Sequence, residues 1–475
     1  MIHLSLRQAA QTMNGQLFGP DPTFMGDGFT GVSTDTRTLP KGALFFALKG
    51  PNFDAHRYLA EAECAGAAAV VVDAEANVSG ACIRVADTRK ALGDLARHWR
   101  GLFRRPLVAI TGSNGKTTVK EMAASIFATL GRTHATQGNF NNDIGVPLTL
   151  FGLDVERDDY AVIEMGANHP GEIAYLVGLA RPDAAVVTNA GPAHLEGFGD
   201  LDGVARAKGE MFAGMPRSAV AVINRDDPRC DVWERLAAER PRLSFGIERA
   251  ADIRARRCPR DTGERLCLDT PAGTVELTLA TPGKHNVYNA LAAAGLALAV
   301  GAPLDKIAEG LEAFRPVQGR MQAHETAAGA LLFDDTYNAN PASLAAGLDV
   351  LISQPGRHWL VLGDMGELGV DAAELHAECG RRAREKGVER LIALGPLAAA
   401  AAGTFGGRGE VFDNVDSLVD GLRGDLERGV RLLVKGSRAM RMERVVAGLL
   451  GHGSRPEDQG SGGQGSEGQS SGGDR

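Results

Sequence analysis

Short, nearly continuous apolar runs alternate along the chain with longer stretches in which apolar positions recur every three to four residues. Residues 107–110, Leu-Val-Ala-Ile, form one such run and lead directly into a glycine-containing turn. Beyond the turn, Val119, Met122, Ala123, Ile126, Phe127 and Leu130 recur at the spacing of one helix face, which predicts an amphipathic helix. Runs at 160–163, 185–188 and 220–223 repeat the strand signal. Strands that are apolar on both faces and separated by helices predict a mainly parallel sheet covered on both sides. A second series follows residue 316, with strand-like runs at 330–333, 359–362, 391–394 and 432–434, each ending in Gly, Asp or Lys before a helical pattern. It predicts a separate, smaller doubly wound unit. A third unit precedes residue 106, with strand-like runs at 43–48 and 69–72 and a joint at Arg104-Arg105-Pro106. The expectation is an α/β protein of three domains, 1–104, 105–316 and 317–452, followed by a tail at 453–475.

Composition narrows this picture. The 475 residues suit about three domains at roughly 150 residues each. The tail is almost all Gly, Ser, Gln, Asp, Glu and Arg, too poor in apolar surface to offset the entropy of ordering, and is expected to be disordered. A net charge of −8 gives no basic field to recruit nucleic acid or an anionic membrane. The longest apolar run, 291–302, is shorter than the roughly 20 residues a bilayer requires. The N-terminus has no apolar signal core. A cytoplasmic protein is expected, and nothing demands more than a monomer. The six cysteines contain no C-x-x-C pair, so reduced thiols are expected rather than a zinc site or a disulfide framework.

The turn after residues 107–110 carries the chemistry. It reads Gly112-Ser113-Asn114-Gly115-Lys116-Thr117-Thr118 and opens a helix. Glycines let backbone N–H groups turn inward around an anion, and the positive end of the helix points at the same place. That dipole contributes only about 0.3–1 kcal/mol when exposed. Holding a triphosphate therefore needs the charge of Lys116, with Thr117 placed to help hold Mg²⁺. The glycine interval is shorter than in the common G-x-x-x-x-G-K-[ST] loop, which argues against an ordinary kinase or GTPase. Glu164 ends the predicted strand at 160–163, where parallel sheets place ligand groups, and His194 follows the strand at 185–188. Both are candidates for the metal region.

These motifs, with others spread over nearly the whole chain, resemble those of the ATP-dependent Mur ligases. The residues carrying the resemblance lie at 33–37, 47–54, 111–118, 138–147, 164–167, 189–196, 207–210, 283–286, 319–321, 334–341 and 435–438. The short phosphate loop is the form this family uses. The resemblance implies a first domain for a uridine nucleotide, a central domain for ATP, and a Rossmann-like last domain for an incoming amino compound. It implies activation of a peptide carboxylate as an acyl phosphate, with ATP and two Mg²⁺ ions, and then attack by an amine. Lys116 would steady the β- and γ-phosphates and Thr117 one Mg²⁺, while Glu164 and His194 match ligands of a second metal. Lys208 matches a lysine that is carbamylated in related ligases. A carbamate would support the metal where an ammonium would repel it. Asn286 and Asn289 match the adenine region, and Arg320 and Asp335 match nucleotide contacts of the last domain. Ser33, Thr34, Thr36 and Arg37 are candidates for the uridine diphosphate, and Asn338, Asn340, Ser437 and Arg438 for the amino substrate.

Within the family, the tract Asp335-Thr336-Tyr337-Asn338-Ala339-Asn340-Pro341 favours the branch that adds D-alanyl-D-alanine to UDP-N-acetylmuramoyl-tripeptide. Diaminopimelate-adding members carry a D-N-P-R motif; the nearest string here is Asp413-Asn414-Val415-Asp416. Folylpolyglutamate synthetase lacks a uridine-nucleotide domain. A scaffold using ATP only as a switch would not need Glu164, His194 and Lys208 together.

Overall fold

A computed structural model describes residues 1–19, 28–73, 76, 78, 80–192, 195–258 and 265–451. The expected tail and His194 lie outside these residues. The α/β architecture expected from the alternating pattern is what the chain adopts.

The largest sheet has nine strands in the order Gly273–Thr278, Arg265–Thr270, Ile253–Arg257, Arg242–Gly246, Val220–Asn224, Ala184–Val187, Leu107–Thr111, Tyr160–Glu164 and Thr133–Ala135. The seven from Ile253–Arg257 to Thr133–Ala135 run parallel, and the other two add antiparallel. Leu107–Thr111 is buried at every residue, as its unbroken apolar run requires. Helices Lys116–Ala128, Lys284–Ala299 and Leu304–Ala313 cover one face of the sheet, with Val119, Met122, Ile126, Leu291, Leu296 and Leu311 packed on Val108, Ile110 and Val162. Gly145–Phe151, Glu172–Ala180 and Leu201–Gly214 cover the other.

A five-stranded sheet precedes it, in the order Gln16–Phe18, Cys82–Arg84, Ala69–Val72, Leu44–Phe46 and Val32–Ser33, parallel except for Gln16–Phe18. Its helix Thr88–Leu102 packs against Gly145–Phe151 and Glu172–Ala180, so Leu92, Leu95 and Trp99 share one core with Leu150 and Leu176. Arg100 pins this joint. Its guanidinium donates to Ala180 O at 2.7 Å, Phe103 O at 2.8 Å and Arg181 O at 3.1 Å. The third sheet has six strands in the order Gln322–Glu325, Leu331–Asp335, Val430–Lys435, Arg357–Gly363, Arg390–Leu394 and Gly409–Phe412, parallel except for the first.

Two features depart from the sequence expectations. The antiparallel hairpin Arg265–Thr270 and Gly273–Thr278 departs from the expected strand set, because its outer member buries only Leu277, half-buries Val275 and lacks an apolar run. Six reduced thiols were expected, yet Cys258 and Cys267 form a disulfide with Cα atoms 5.4 Å apart. Strand pairing brings these two cysteines together, and their nine-residue separation matches no short cysteine motif. No helix among the described residues is long and apolar enough to cross a membrane.

Candidate active site

Parallel strands deliver their C-terminal ends to one edge, and the chemistry-bearing turns of the nine-stranded and six-stranded sheets meet there around a cavity of about 830 Å³. The phosphate loop forms its floor. Gly112 (φ +142°) and Gly115 (φ +82°) take backbone conformations that side chains resist, and a Cβ on Gly112 would run into the Thr188 hydroxyl. The next strand's turn clamps the loop. Ser113 N–H donates to Asn189 O and Asn114 N–H to Asn189 Oδ1, both at 3.0 Å, and the Thr188 hydroxyl donates to Asn114 O at 2.6 Å. Ser113 Oγ donates to Gly191 O and accepts from Gly191 N–H, each at 3.0 Å.

Lys116 folds back over this loop, its ammonium donating to Gly112 O at 2.8 Å and Ser113 O at 3.3 Å. Burial holds its pKa below the ordinary lysine value, opposed chiefly by the negative charge of Glu164. Glu164 is buried at the end of its strand. One carboxylate oxygen accepts from Asn141 Nδ2 at 2.8 Å, and its backbone N–H donates to Thr136 Oγ1 at 2.9 Å. The other oxygen is buried and has no donor among the described residues. A buried anionic oxygen left without a donor is the environment a hard divalent cation satisfies. With Thr117 Oγ1 on the same cavity wall, the donor set fits Mg²⁺.

Lys208 lies beneath this wall. It is 1% exposed, donates to Ala167 O at 3.0 Å and sits 5.0 Å over the Phe198 ring. Burial, reinforced by the charge of Lys116, lowers its pKa to about 7. It is no surface lysine: helix Leu201–Gly214 turns it inward against Ala167, in the turn that follows the strand ending at Glu164.

Two contacts from the last sheet cross the cavity. Arg320 donates to Thr117 Oγ1 at 3.1 Å while its guanidinium stacks 4.1 Å from the Tyr337 ring centre. Asn340 Nδ2 donates to Asn114 Oδ1 at 2.8 Å. Asn340 also caps helix Pro341–Ser353 through a reciprocal pair with Ser343, which fixes its direction. Asp335 is paired with the buried Lys435, whose ammonium also donates to Asn338 O at 3.0 Å. Asn286 and Asn289 are joined at 3.2 Å on helix Lys284–Ala299 and line the same space.

Of the residues singled out from sequence, the cavity wall brings together Ser113, Asn114, Gly115, Lys116, Thr117, Thr118, Glu164, Asn286, Asn289, Arg320, Asp335, Asn338, Asn340 and Arg438. Gly112 stands at the loop's neck, Lys208 lies behind the wall, and Ser437 is buried next to Arg438. Ser33, Thr34, Thr36 and Arg37 sit apart, at the C-terminal edge of the five-stranded sheet. There the Ser33 hydroxyl donates to Asp35 O at 3.0 Å, and Arg37 pairs with Asp35 at 2.6 Å and holds that carboxyl down at about 2. Asn141, Tyr337, Glu367 and Lys435 were missed as individual site residues. Asn141, Tyr337 and Lys435 lay inside motif tracts without an assigned role, and Glu367 had no sequence signal beyond its following a strand.

Three family models match the chain: "Mur ligase family, catalytic domain" over 28–100, "Mur ligase middle domain" over 110–297 and "Mur ligase, glutamate ligase domain" over 319–438. The UDP-N-acetylmuramoyl-tripeptide–D-alanyl-D-alanine ligase of Escherichia coli K12 is 43% identical over 457 residues, covering 95% of this chain and 100% of that relative. The chain belongs to the Mur ligase family. Among solved structures, this Mur ligase is similar to MurF from Acinetobacter baumannii, with a TM-score of 0.87, 35% identity, and 95% of this chain and 99% of that one covered. It is also similar to MurF ligase from Thermotoga maritima in complex with ADP, with a TM-score of 0.80 and 29% identity over 89% of this chain and 97% of that one.

Proposed function

We propose that this Mur ligase joins D-alanyl-D-alanine to UDP-N-acetylmuramoyl-tripeptide at the expense of ATP, giving the UDP-muramoyl-pentapeptide precursor of peptidoglycan. The observation that carries the reading is the similarity to the Escherichia coli ligase of that name over 95% of the chain. The cavity geometry supports it. In this reading residues 1–104 hold the uridine nucleotide, 105–316 hold ATP and 317–452 receive the dipeptide.

The phosphate loop N–H groups and Lys116 hold the β- and γ-phosphates with the γ-phosphorus facing the tripeptide's terminal carboxylate. That carboxylate attacks the γ-phosphorus, ADP leaves, and an acyl phosphate remains. The dipeptide amine then attacks the acyl carbon and expels inorganic phosphate. Arg320, reaching from the last sheet to Thr117, brings a positive charge to the place where phosphoryl charge develops. Thr117, Glu164, His194 and Lys208 are the residues that would hold two Mg²⁺ ions. When bound, these ions neutralise phosphate charge during transfer. A buried Lys208 with its pKa near 7 offers an uncharged amine for carbamylation, and a carbamate there would add an anionic group to the support of the metal region. Asn286 and Asn289 face the adenine, and Asp335, held by Lys435, faces the nucleotide from the last sheet. Ser33, Thr34, Thr36 and Arg37 take the uridine diphosphate, and Asn338, Asn340, Ser437 and Arg438 the dipeptide. Dependence on ATP and a nucleotide-linked sugar supports a cytoplasmic enzyme, and nothing in this reading demands more than a monomer.

The test is product mass after incubation with ATP, UDP-muramoyl-tripeptide and D-alanyl-D-alanine, with single amino acids in parallel. A gain of one dipeptide residue mass, absent with single amino acids, is expected. Amide formation only with a single amino acid would overturn the reading. Lys208→Ala tests the carbamate: short carboxylic acids should restore activity, and an unimpaired variant would remove the need for one.

A further inference from the structure

The central cavity has an acidic group that the phosphate chemistry does not use. Glu367 lines it from the loop between strand Arg357–Gly363 and the turn Gly369–Asp371, at the C-terminal edge of the six-stranded sheet. Its backbone is left-handed, with φ +61°. A side-chain-bearing residue there is disfavoured relative to glycine, so the surrounding loop has to hold it in place.

The loop is built rather than slack. The Met365 N–H donates to Nε2 of His376 at 2.9 Å, and His376 is fully buried. Because Nε2 accepts, Nδ1 carries the proton and donates to Ala372 O at 2.6 Å. The Asp364 carboxylate accepts from Ala398 N–H at 2.7 Å, and Asp364 O accepts from Ser437 N–H at 2.9 Å. This last bond ties the Glu367 loop to Ser437-Arg438. Arg438 lines the same cavity, its guanidinium 6.0 Å from the Tyr337 ring centre. The charge of Glu367 is also felt at Lys116, on the side where phosphoryl transfer takes place.

An unmodified dipeptide is a zwitterion. It needs an anion for its ammonium and a cation for its carboxylate, and adjoining loops offer Glu367 and Arg438. We propose that Glu367 receives the α-ammonium of the incoming dipeptide and takes the proton it sheds. This rests on the dipeptide-ligase reading above. In the step, the ammonium gives one proton to the Glu367 carboxylate, and the freed lone pair forms the C–N bond at the acyl carbon. The C–O bond to phosphate breaks, its electron pair leaves with phosphate, and the second N–H proton departs with that phosphate. Glu367 therefore fixes which end of the dipeptide reacts.

Native protein is first shown to make the dipeptide adduct; failure there would sink the ligase reading and leave this inference without its premise. Steady-state kinetics of Glu367→Gln then vary each substrate in turn. The KM for dipeptide is expected to rise about tenfold or more at pH 7.5. The KM values for ATP and UDP-substrate should stay within about twofold. The deficit should shrink towards pH 9, because the amine's pKa is about 8 and more of it is already neutral. Glu367→Gly suits the left-handed backbone, so it should show the same dipeptide defect with no loss of Tm. A dipeptide KM within about twofold of native in both variants, an equal rise in all three KM values, or a deficit independent of pH would each overturn the proposal.

Discussion

Replacing Gly112 by alanine tests whether the phosphate loop works by its backbone shape. Gly112 has φ +142°, and a Cβ there would meet the Thr188 hydroxyl. That hydroxyl is committed to Asn114 O at 2.6 Å and cannot swing aside without losing the bond. Holding a non-glycine residue in a sparsely populated conformation costs about 1–3 kcal/mol. Losing one intramolecular hydrogen bond adds about 1 kcal/mol. The total is about 2–4 kcal/mol, borne by the loop in its anion-binding shape. At about 1.4 kcal/mol per tenfold, Gly112→Ala should weaken ATP binding by roughly 30- to 1,000-fold. Calorimetric titration with Mg-ATP reads this directly, with far-ultraviolet circular dichroism confirming the fold. Adding Thr188→Ala removes the hardest collision, that with the hydroxyl, while Thr188 N at 3.0 Å and Cβ at 3.1 Å still crowd the new methyl and the backbone strain stays, so the double variant should recover only part of the loss. ATP binding by Gly112→Ala within about threefold of native would refute the reasoning.

Glu164→Gln keeps the shape of the side chain and removes the charge of the buried oxygen that lacks a donor. The Mg²⁺ concentration giving half-maximal activity should rise by about tenfold or more, and an unchanged Mg²⁺ dependence would exclude Glu164 from the metal site. Lys208 titrates near 7 when folded and near 10.5 when unfolded, so the unfolded chain binds more protons between those values. Its contribution to stability therefore rises with pH across that window and is least favourable below it. In carbon-dioxide-free buffer, Lys208→Met should raise Tm more at pH 6.5 than at pH 10, and equal shifts at the two pH values would contradict the burial argument. Arg100→Met strands three carbonyls that now accept from one guanidinium. It should destabilise the protein by about 2–4 kcal/mol in chemical denaturation and leave the KM for ATP within about twofold, because Arg100 is remote from the cavity wall.

The sequence alone determined what local rules govern. An unbroken apolar run at 107–110, a glycine turn from Gly112 and helical spacing from Val119 predict a buried strand, a turn and a covering helix by local rules, and so the phosphate loop is legible complete with Lys116 and Thr117. Glu164 was legible for the same reason, since a carboxylate at the end of an apolar strand in a parallel sheet falls at the ligand edge. What tertiary structure decided depends on contacts far apart in the chain. Arg320 reaches Thr117 across 203 positions and Asn340 reaches Asn114 across 226, distances over which no spacing rule operates. Lys208 has the sequence appearance of a solvated helix residue, and only the packing of its helix against the central sheet makes it buried and weakly basic. The disulfide between Cys258 and Cys267 arises from strand pairing rather than from a cysteine motif. Glu367 is the clearest case. Its left-handed backbone, imposed on a loop held by His376, Ala398 and Ser437, cannot be read from its neighbours, because a glutamate carries no mark of the φ its fold will demand.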